Sequence, residues 1–258
     1  MVPGMRRRFL LAYVLLAILL GGAAALAVVL LGRSGGHHAA STAPSPAFHP
    51  TGVGTAALQQ IAVQVGREYR LPDGEQFVAA IARPAAPPQL VTPAGAVVIS
   101  AVVLHTGFSL ENPGDVVPVD FTKGAIFILC GAGRACAIPG QPSNARGDLL
   151  RRLTVELALR TLQKLVSIDS VLVFLPPLPG TADKRFFLLT RTDLAAALAQ
   201  PLSSTLTPAT RLVPGSLSAA ETQRLRRLTD GRAFLLTQVQ QLPDGTALLE
   251  GTPPQPIG

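Results

Sequence analysis

Apolar and polar positions divide the chain into three regimes. From Phe9 to Leu31 the sequence FLLAYVLLAILLGGAAALAVVLL runs for 23 residues without a charge. From Ser34 to Gly54 it turns to Ser, Pro, Gly and Ala, with three histidines and no acidic or basic residue besides them. Beyond that, short apolar runs alternate with turn residues, the pattern of a folded domain.

The first regime, at a rise of about 1.5 Å per helical residue, is about 34 Å long. That is enough to cross a hydrocarbon core of about 30 Å. Arg6, Arg7 and Arg8 precede it and Arg33 follows, so the positive-inside rule places residues 1–8 in the cytoplasm. A cleaved signal has a shorter apolar stretch, about 7–15 residues. An uncleaved signal anchor over residues 9–31, held in the lipid bilayer, is therefore expected. Residues 32–54 read as a linker, and residues 55–258 as an extracytoplasmic domain.

Within that domain Leu58, Ile61, Ala62 and Val65 share a helical face, with Thr55 placed to cap the helix and Gly66 to stop it. Pro72-Asp73-Gly74 reads as a turn between extended flanks. The tetrad Leu-Pro-Asp-Gly recurs at Leu242–Gly245, and turn chemistry alone accounts for both copies. Ala96–Leu104 and Ala125–Cys130 are expected as buried strands. Gly107–Asp120 reads as loop, with Asn112-Pro113-Gly114 as its turn.

The spacing predicts the longest helix from Asp148, as N-cap, to about Val166. Arg152, Glu156, Arg160 and Gln163 form its polar stripe. Leu149, Leu153, Val155, Leu159, Leu162 and Val166 cover the rest. Strands at Ser170–Leu175 and Phe186–Thr190 follow, then a short helix over Asp193–Ala199. Ser218 and Glu221 form a capping box for a helix through Leu228, and a hairpin occupies 233–250. Strands outnumber helices without regular alternation. The class is α+β: a mostly antiparallel sheet packed against one long helix and shorter helices. Pro201–Pro214 sets off a C-terminal helix–hairpin subunit at 215–250.

Charge changes the picture little. The net charge is +7, but without the four arginines flanking the apolar run 18 basic residues face 15 acidic ones. With no Trp and two Tyr, the basic stripe and aromatic platforms of a nucleic-acid binder are missing, so no nucleic acid is expected as partner.

Candidate chemistry centres on Cys130–Cys136, CGAGRAC, which holds the chain's two cysteines. A dinucleotide loop needs a third glycine where Cys136 stands, and a helix where Pro139-Gly140 stops one. Structural zinc needs four ligands; the domain offers two cysteines and His105, while His37, His38 and His49 lie in the linker. Redox pairs are spaced Cys-x-x-Cys, and here five residues intervene. Export favours oxidation, so a disulfide joining Cys130 and Cys136 is expected, with no metal and no cofactor.

For catalysis His105 stands as a base at a strand end, with Asp115 or Asp120 to orient it and Ser109 or Ser143 to attack. No Gly-x-Ser-x-Gly or Ser-x-x-Lys motif supports it. Glu111 and Asp115 offer a carboxylate pair that a polar turn explains equally well. Arg146-Gly147-Asp148 spells an adhesion tripeptide but reads as the start of the long helix.

The segment RTLQKLVSIDSVLVFLP, Arg160 to Pro176, resembles the helix–strand end of the GerMN domains of exported Gram-positive lipoproteins and spore proteins. The likeness covers that segment alone, the cysteine loop does not follow the pattern, and no lipobox cysteine follows the apolar run. These features lead to an expectation of a single-pass bacterial cell-envelope protein whose outer domain acts by binding, with an envelope protein as partner. The alternative is an envelope hydrolase using His105 with an acidic partner.

Overall fold

The computed structural model describes residues 50–254, apart from 86, 93–94, 107–113 and 182. The apolar run at 9–31, the linker up to residue 49, Ser109 and Glu111 lie outside the described residues. Among those described, no helix is long and apolar enough to cross a membrane.

The fold is a mixed α+β arrangement of one nine-stranded sheet and few helices. Helix α1 (Gly54–Glu68) buries Leu58, Ile61, Ala62 and Val65, the face expected from their spacing. Its cap differs from expectation. Val53 holds the N-cap position, and the Thr55 hydroxyl instead accepts a hydrogen bond from the Ala85 amide. Gly66 does not stop the helix but lies buried within its last turn.

Strands β1 (Ala79–Ala82), β2 (Gln89–Thr92), β3 (Gly95–Thr106), β4 (Asp115–Asp120) and β5 (Gly124–Cys130) follow. Then come helix α2 (Asn144–Lys164), β6 (Ser170–Phe174) and β7 (Arg185–Thr190). Three helices, α3 (Ala195–Leu198), α4 (Leu202–Thr205) and α5 (Ala219–Thr229), precede the hairpin of β8 (Ala233–Gln241) and β9 (Thr246–Thr252).

Two expectations change here. The residues 115–120, read as loop, form a strand antiparallel to β3. Proline at 118 is tolerated because β4 is an edge strand, where an amide can be absent from one side of the ladder. The long helix begins at Asn144, not at Asp148. Its cap is Ser143, whose hydroxyl accepts from the Arg146 amide, while Asp148 pairs with Arg226 at 3.2 Å. At its other end Val166 lies beyond the helix and is 84% exposed.

Along the sheet the order is β1-β5-β6-β7-β8-β9-β3-β2, with β4 beside β2 on the same edge of β3. Neighbours are antiparallel except for β5–β6, joined through α2, and β3–β9. The hairpin expected within the 215–250 subunit is part of this sheet, since β9 lies between β8 and β3. The terminal strands β1 and β2 stand seven places apart in this order, about 34 Å in a flat sheet at about 4.8 Å per strand. Yet only residues 83–88 connect them, a reach of at most about 25 Å. The sheet must therefore curl. Its two ends are drawn together by the connecting segment, where Arg83 donates to the Ile126 carbonyl of β5 and Ile99 of β3 donates to the Pro88 carbonyl.

Curling gives the sheet an outside and an inside, and the two-residue alternation of the strands fills both. Outward, Phe127 and Leu129 of β5, Val171 and Val173 of β6 and Leu189 of β7 pack with α1 and α2 in the larger core. Inward, Ile126, Leu172, Leu188, Ile99 and Leu249 meet in a second core. There Phe186 stands between Phe174 and Phe234, with ring centroids 5.9 and 5.7 Å away. Register shifts between Ile99 and Ala101 and between Leu236 and Gln238 mark bulges that sharpen the bend. Beside them Gly251 lets the sheet close on the aromatic cluster, because a β-carbon there would stand 2.6 Å from Phe186 Cζ.

Candidate functional site

At the end of the curled sheet where β5 and β6 terminate and β7 begins, the inner core gives way to a cavity of about 700 Å³. Leu90, Val97, Ile128, Phe174, Leu236 and Val239 make its apolar wall. Polar groups stand among the lining at Thr92, Asp183, Lys184 and Gln241. The sequence supplies these walls through ordinary strand alternation. Every second residue of each strand faces inward, and at this end the ring of strands leaves its centre unfilled.

The cysteine loop forms one side of the opening. Cys130 and Cys136 are joined by a disulfide, as expected, with Cα atoms 4.4 Å apart. The glycines of CGAGRAC serve the fold of this loop. The Gly131 amide donates to Cys136 and the Gly133 amide to Ala137, both at 2.8 Å. A β-carbon at Gly131 would lie 2.4 Å from the Ala137 carbonyl oxygen. Ala135 and Cys136 take φ of 53° and 67°, and both line the apolar cavity. The disulfide thus pins a left-handed turn against the mouth.

A second cavity, of about 280 Å³, lies behind the same strand ends, over the first turns of α2. Leu175 and Pro177 line both cavities. Arg146, Arg151 and Arg185 line the second one, and no Asp or Glu does. Arg151 donates to the Thr229 hydroxyl at 2.7 Å and lies 5.6 Å from the Phe187 ring centre. Arg185 is half-buried, with its Nε shielded from water and without a hydrogen-bond partner. Burial pulls its pKa down, against the weaker opposing pull of Asp183.

A third constellation is ionic and enclosed. Arg152 and Glu156, expected in a polar stripe, are each only 2% exposed because α1 and α5 cover that side of α2. Arg152 Nη1 bonds Glu156 at 2.9 Å and the Tyr69 hydroxyl at 2.6 Å, while Nε bonds Glu221 at 2.8 Å and Nη2 the Thr207 carbonyl at 2.7 Å. Arg160 closes the array on Glu156 at 2.7 Å. Ser218 accepts from the Glu221 amide as in a capping box, but the Glu221 carboxylate turns inward to Arg152. Burial works against the Arg152 charge, and Tyr69, Glu156 and Glu221 outweigh it, so its pKa rises. Burial pushes Tyr69 well up, with Glu156 adding to it. At the margin Glu68 is pushed up to about 7, first by burial and then by Glu156. Neither cavity opens onto these groups. They tie three helices together.

The histidine candidate lies elsewhere. Register pairs His105 with Val116 and Thr106 with Asp115, so His105 and Asp115 stand on opposite faces of the ladder. Asp120 shares the face of His105 but is four residues along β4 from Val116, about 13 Å. Its Oδ1 accepts from the Thr122 amide and hydroxyl, which hold its carboxyl below the usual range. Ser143 is spent on the helix cap. No base–nucleophile pair is assembled from these residues. Among the described residues no three His, Cys, Asp or Glu side chains gather as metal ligands.

Nothing in the sequence brings the aliphatic lining together, or groups Arg146 and Arg151 of one helix with Arg185 of a strand, because those juxtapositions come from the curl of the sheet. The chain matches no family model, no curated protein and no solved structure.

Proposed function

We propose that the chain is a single-pass, membrane-anchored extracytoplasmic binding module whose curled sheet holds the acyl chain of a lipid. The observation that carries this reading is the apolar cavity of about 700 Å³ at the open end of the sheet. Its volume falls in the range of roughly 300–1,000 Å³ that accommodates small organic ligands. Its wall is aliphatic and aromatic with polar groups few among it, the chemistry that shelters a hydrocarbon.

Location supports the choice of occupant. The 23 uncharged residues at 9–31 are long enough to anchor the chain. The residues after them, rich in Ser, Pro, Gly and Ala, read in composition as a linker to the domain. The domain would stay beside a bilayer, where acyl chains are the abundant apolar ligand. The hydrolase alternative finds less support, because neither cavity includes His105.

The test uses the full chain in neutral phosphatidylcholine vesicles with an uncharged acyl lipid carrying a diazirine. Light-induced adducts are expected on Leu90, Val91, Thr92, Val97 and residues 236–241, and Val239→Trp, which fills the cavity, should remove them. Adducts confined to residues 9–31 would overturn the reading. For the topology, a cysteine introduced after Gly54 should react with an impermeant maleimide from outside intact cells. Labelling only after lysis would refute it.

A further inference from the structure

We infer that the smaller cavity is an oxyanion site, in which Arg146, Arg151 and Arg185 receive the carboxylate or phosphate of the lipid whose chain enters the apolar cavity. This deepens the lipid-binding reading and rests on it.

Three half-buried guanidinium groups share one concavity of about 280 Å³, and no carboxylate lines it. Like charges collected in a partly desolvated space repel one another, and a bound anion relieves that cost. Asp183, which stands outside the lining, offsets the Arg185 charge only in part. Several arginines elsewhere in the domain find carboxylate partners: Arg152 with Glu156 and Glu221, Arg160 with Glu156, Arg226 with Asp148, Arg232 with Asp193. The Arg185 Nε, like that of Arg83 outside this cavity, is shut off from water with its proton unused. Arg146 is held over the backbone of Gly140, its Nη2 3.0 Å from where a β-carbon there would stand. Only Arg151 has an assigned neutral partner, the Thr229 hydroxyl. Planar guanidinium groups with free N–H edges suit carboxylate and phosphate oxygens, which can accept two bonds side by side.

The placement couples this site to the apolar one. Leu175 and Pro177 line both cavities. Arg185 faces the smaller cavity, whereas its neighbours Asp183 and Lys184 line the larger. The partition is therefore one strand end thick. An amphiphile with its chain in the apolar cavity can fold its charged head over the rim formed by the β6–β7 connection. A neutral head gains nothing there.

The experiment compares two diazirine-bearing lipids on the full chain in phosphatidylcholine vesicles, palmitate and its uncharged glycerol ester, reading adducts on Leu90, Val91, Thr92, Val97 and residues 236–241. Palmitate should label at least about tenfold more strongly, equivalent to about 1.4 kcal/mol. Arg146→Gln and Arg185→Gln should bring palmitate down to the level of the ester on the unaltered protein. Inorganic phosphate, tested on the unaltered protein so that folding is not in question, should compete with palmitate alone. Equal labelling by both lipids, indifferent to phosphate, overturns the oxyanion site and leaves the lipid-binding reading standing. Absence of adducts from both lipids, with phosphate still raising the melting temperature, overturns the lipid reading and assigns the arginines to a free anion.

Discussion

Replacing Arg152 with methionine removes the guanidinium that joins Glu156 on α2 to Glu221 on α5. The side chain makes hydrogen bonds of 2.6 to 2.9 Å to Glu156, Glu221, Tyr69 and Thr207 while 2% exposed. Methionine fills much of the volume but leaves two buried carboxylates short of a cation. Breaking a buried ion pair from one side costs about 3–5 kcal/mol. Arg160 still serves Glu156 at 2.7 Å, which moves the expected loss towards the lower figure. About 3 kcal/mol, in a domain of this size, lowers Tm by about 6–12 °C. Urea unfolding of the full chain followed by circular dichroism measures it, with the slope checked so that a change in midpoint reports stability. Adding Glu221→Leu removes the stranded charge, and the double variant should recover at least half of the loss, since apolar replacement of a whole buried pair is often neutral. A single variant that loses under about 1 kcal/mol, or a double variant that loses the sum of both, would refute the account of Arg152 as a central tie.

Further outcomes follow from the same geometry. Glu68, with its pKa pushed from 4.5 to about 7, contributes stability that is complete below pH 4.5 and lost as pH rises through 7. Taken in full the rise is worth about 3 kcal/mol, and solvent reaching this half-buried group cuts it to about 1 kcal/mol. Glu68→Gln should therefore come close to the unaltered protein near pH 4 and be more stable by about 1 kcal/mol at pH 8, and equal gains at both pH values would refute the assignment. Reducing Cys130–Cys136 should cost about 2 kcal/mol, the chain-entropy value for so small a ring; melting curves with and without dithiothreitol that superimpose would count against it. Gly131→Ala forces its new methyl group onto the Ala137 carbonyl oxygen, so it should destabilise by about 1–3 kcal/mol, and an unchanged melting curve would show that the loop is looser than described.

Much of the architecture was legible because periodicity reports burial directly. Strands 124–130, 170–174 and 185–190 are runs of aliphatic and aromatic residues, and the last hairpin turns on Leu242–Gly245 as its residues require. Both Leu-Pro-Asp-Gly copies make the same turn, with Gly74 donating to Leu71 and Gly245 to Leu242. What escaped has physical causes. Ala79–Ala82 is a short edge strand made mostly of alanine, Gln89–Thr92 is an edge strand of four residues, too short to show a period, and Asp115–Asp120 carries a proline that only an edge accepts. The stripe of Arg152 and Glu156 looks like a solvated face because a charge paired inside a protein and one facing water leave the same periodic trace. The cavities were invisible for a different reason. Alternation says that a residue faces one side of a sheet, but only the curl decides whether that side meets a helix or an empty lumen.

The position of β9 bears on how such a domain could be delivered. It lies between β8 and β3, pairing parallel with a strand that precedes it by some 150 residues. Were the chain threaded across a membrane N-terminus first, β3 would emerge long before its partner, and the sheet could not join β8 to β3 until about residue 252 had crossed. Until then β3 keeps an open apolar edge, the kind of intermediate that aggregates or recruits a chaperone. Vectorial export would thus leave this domain dependent on its last strand for solubility as well as for shape.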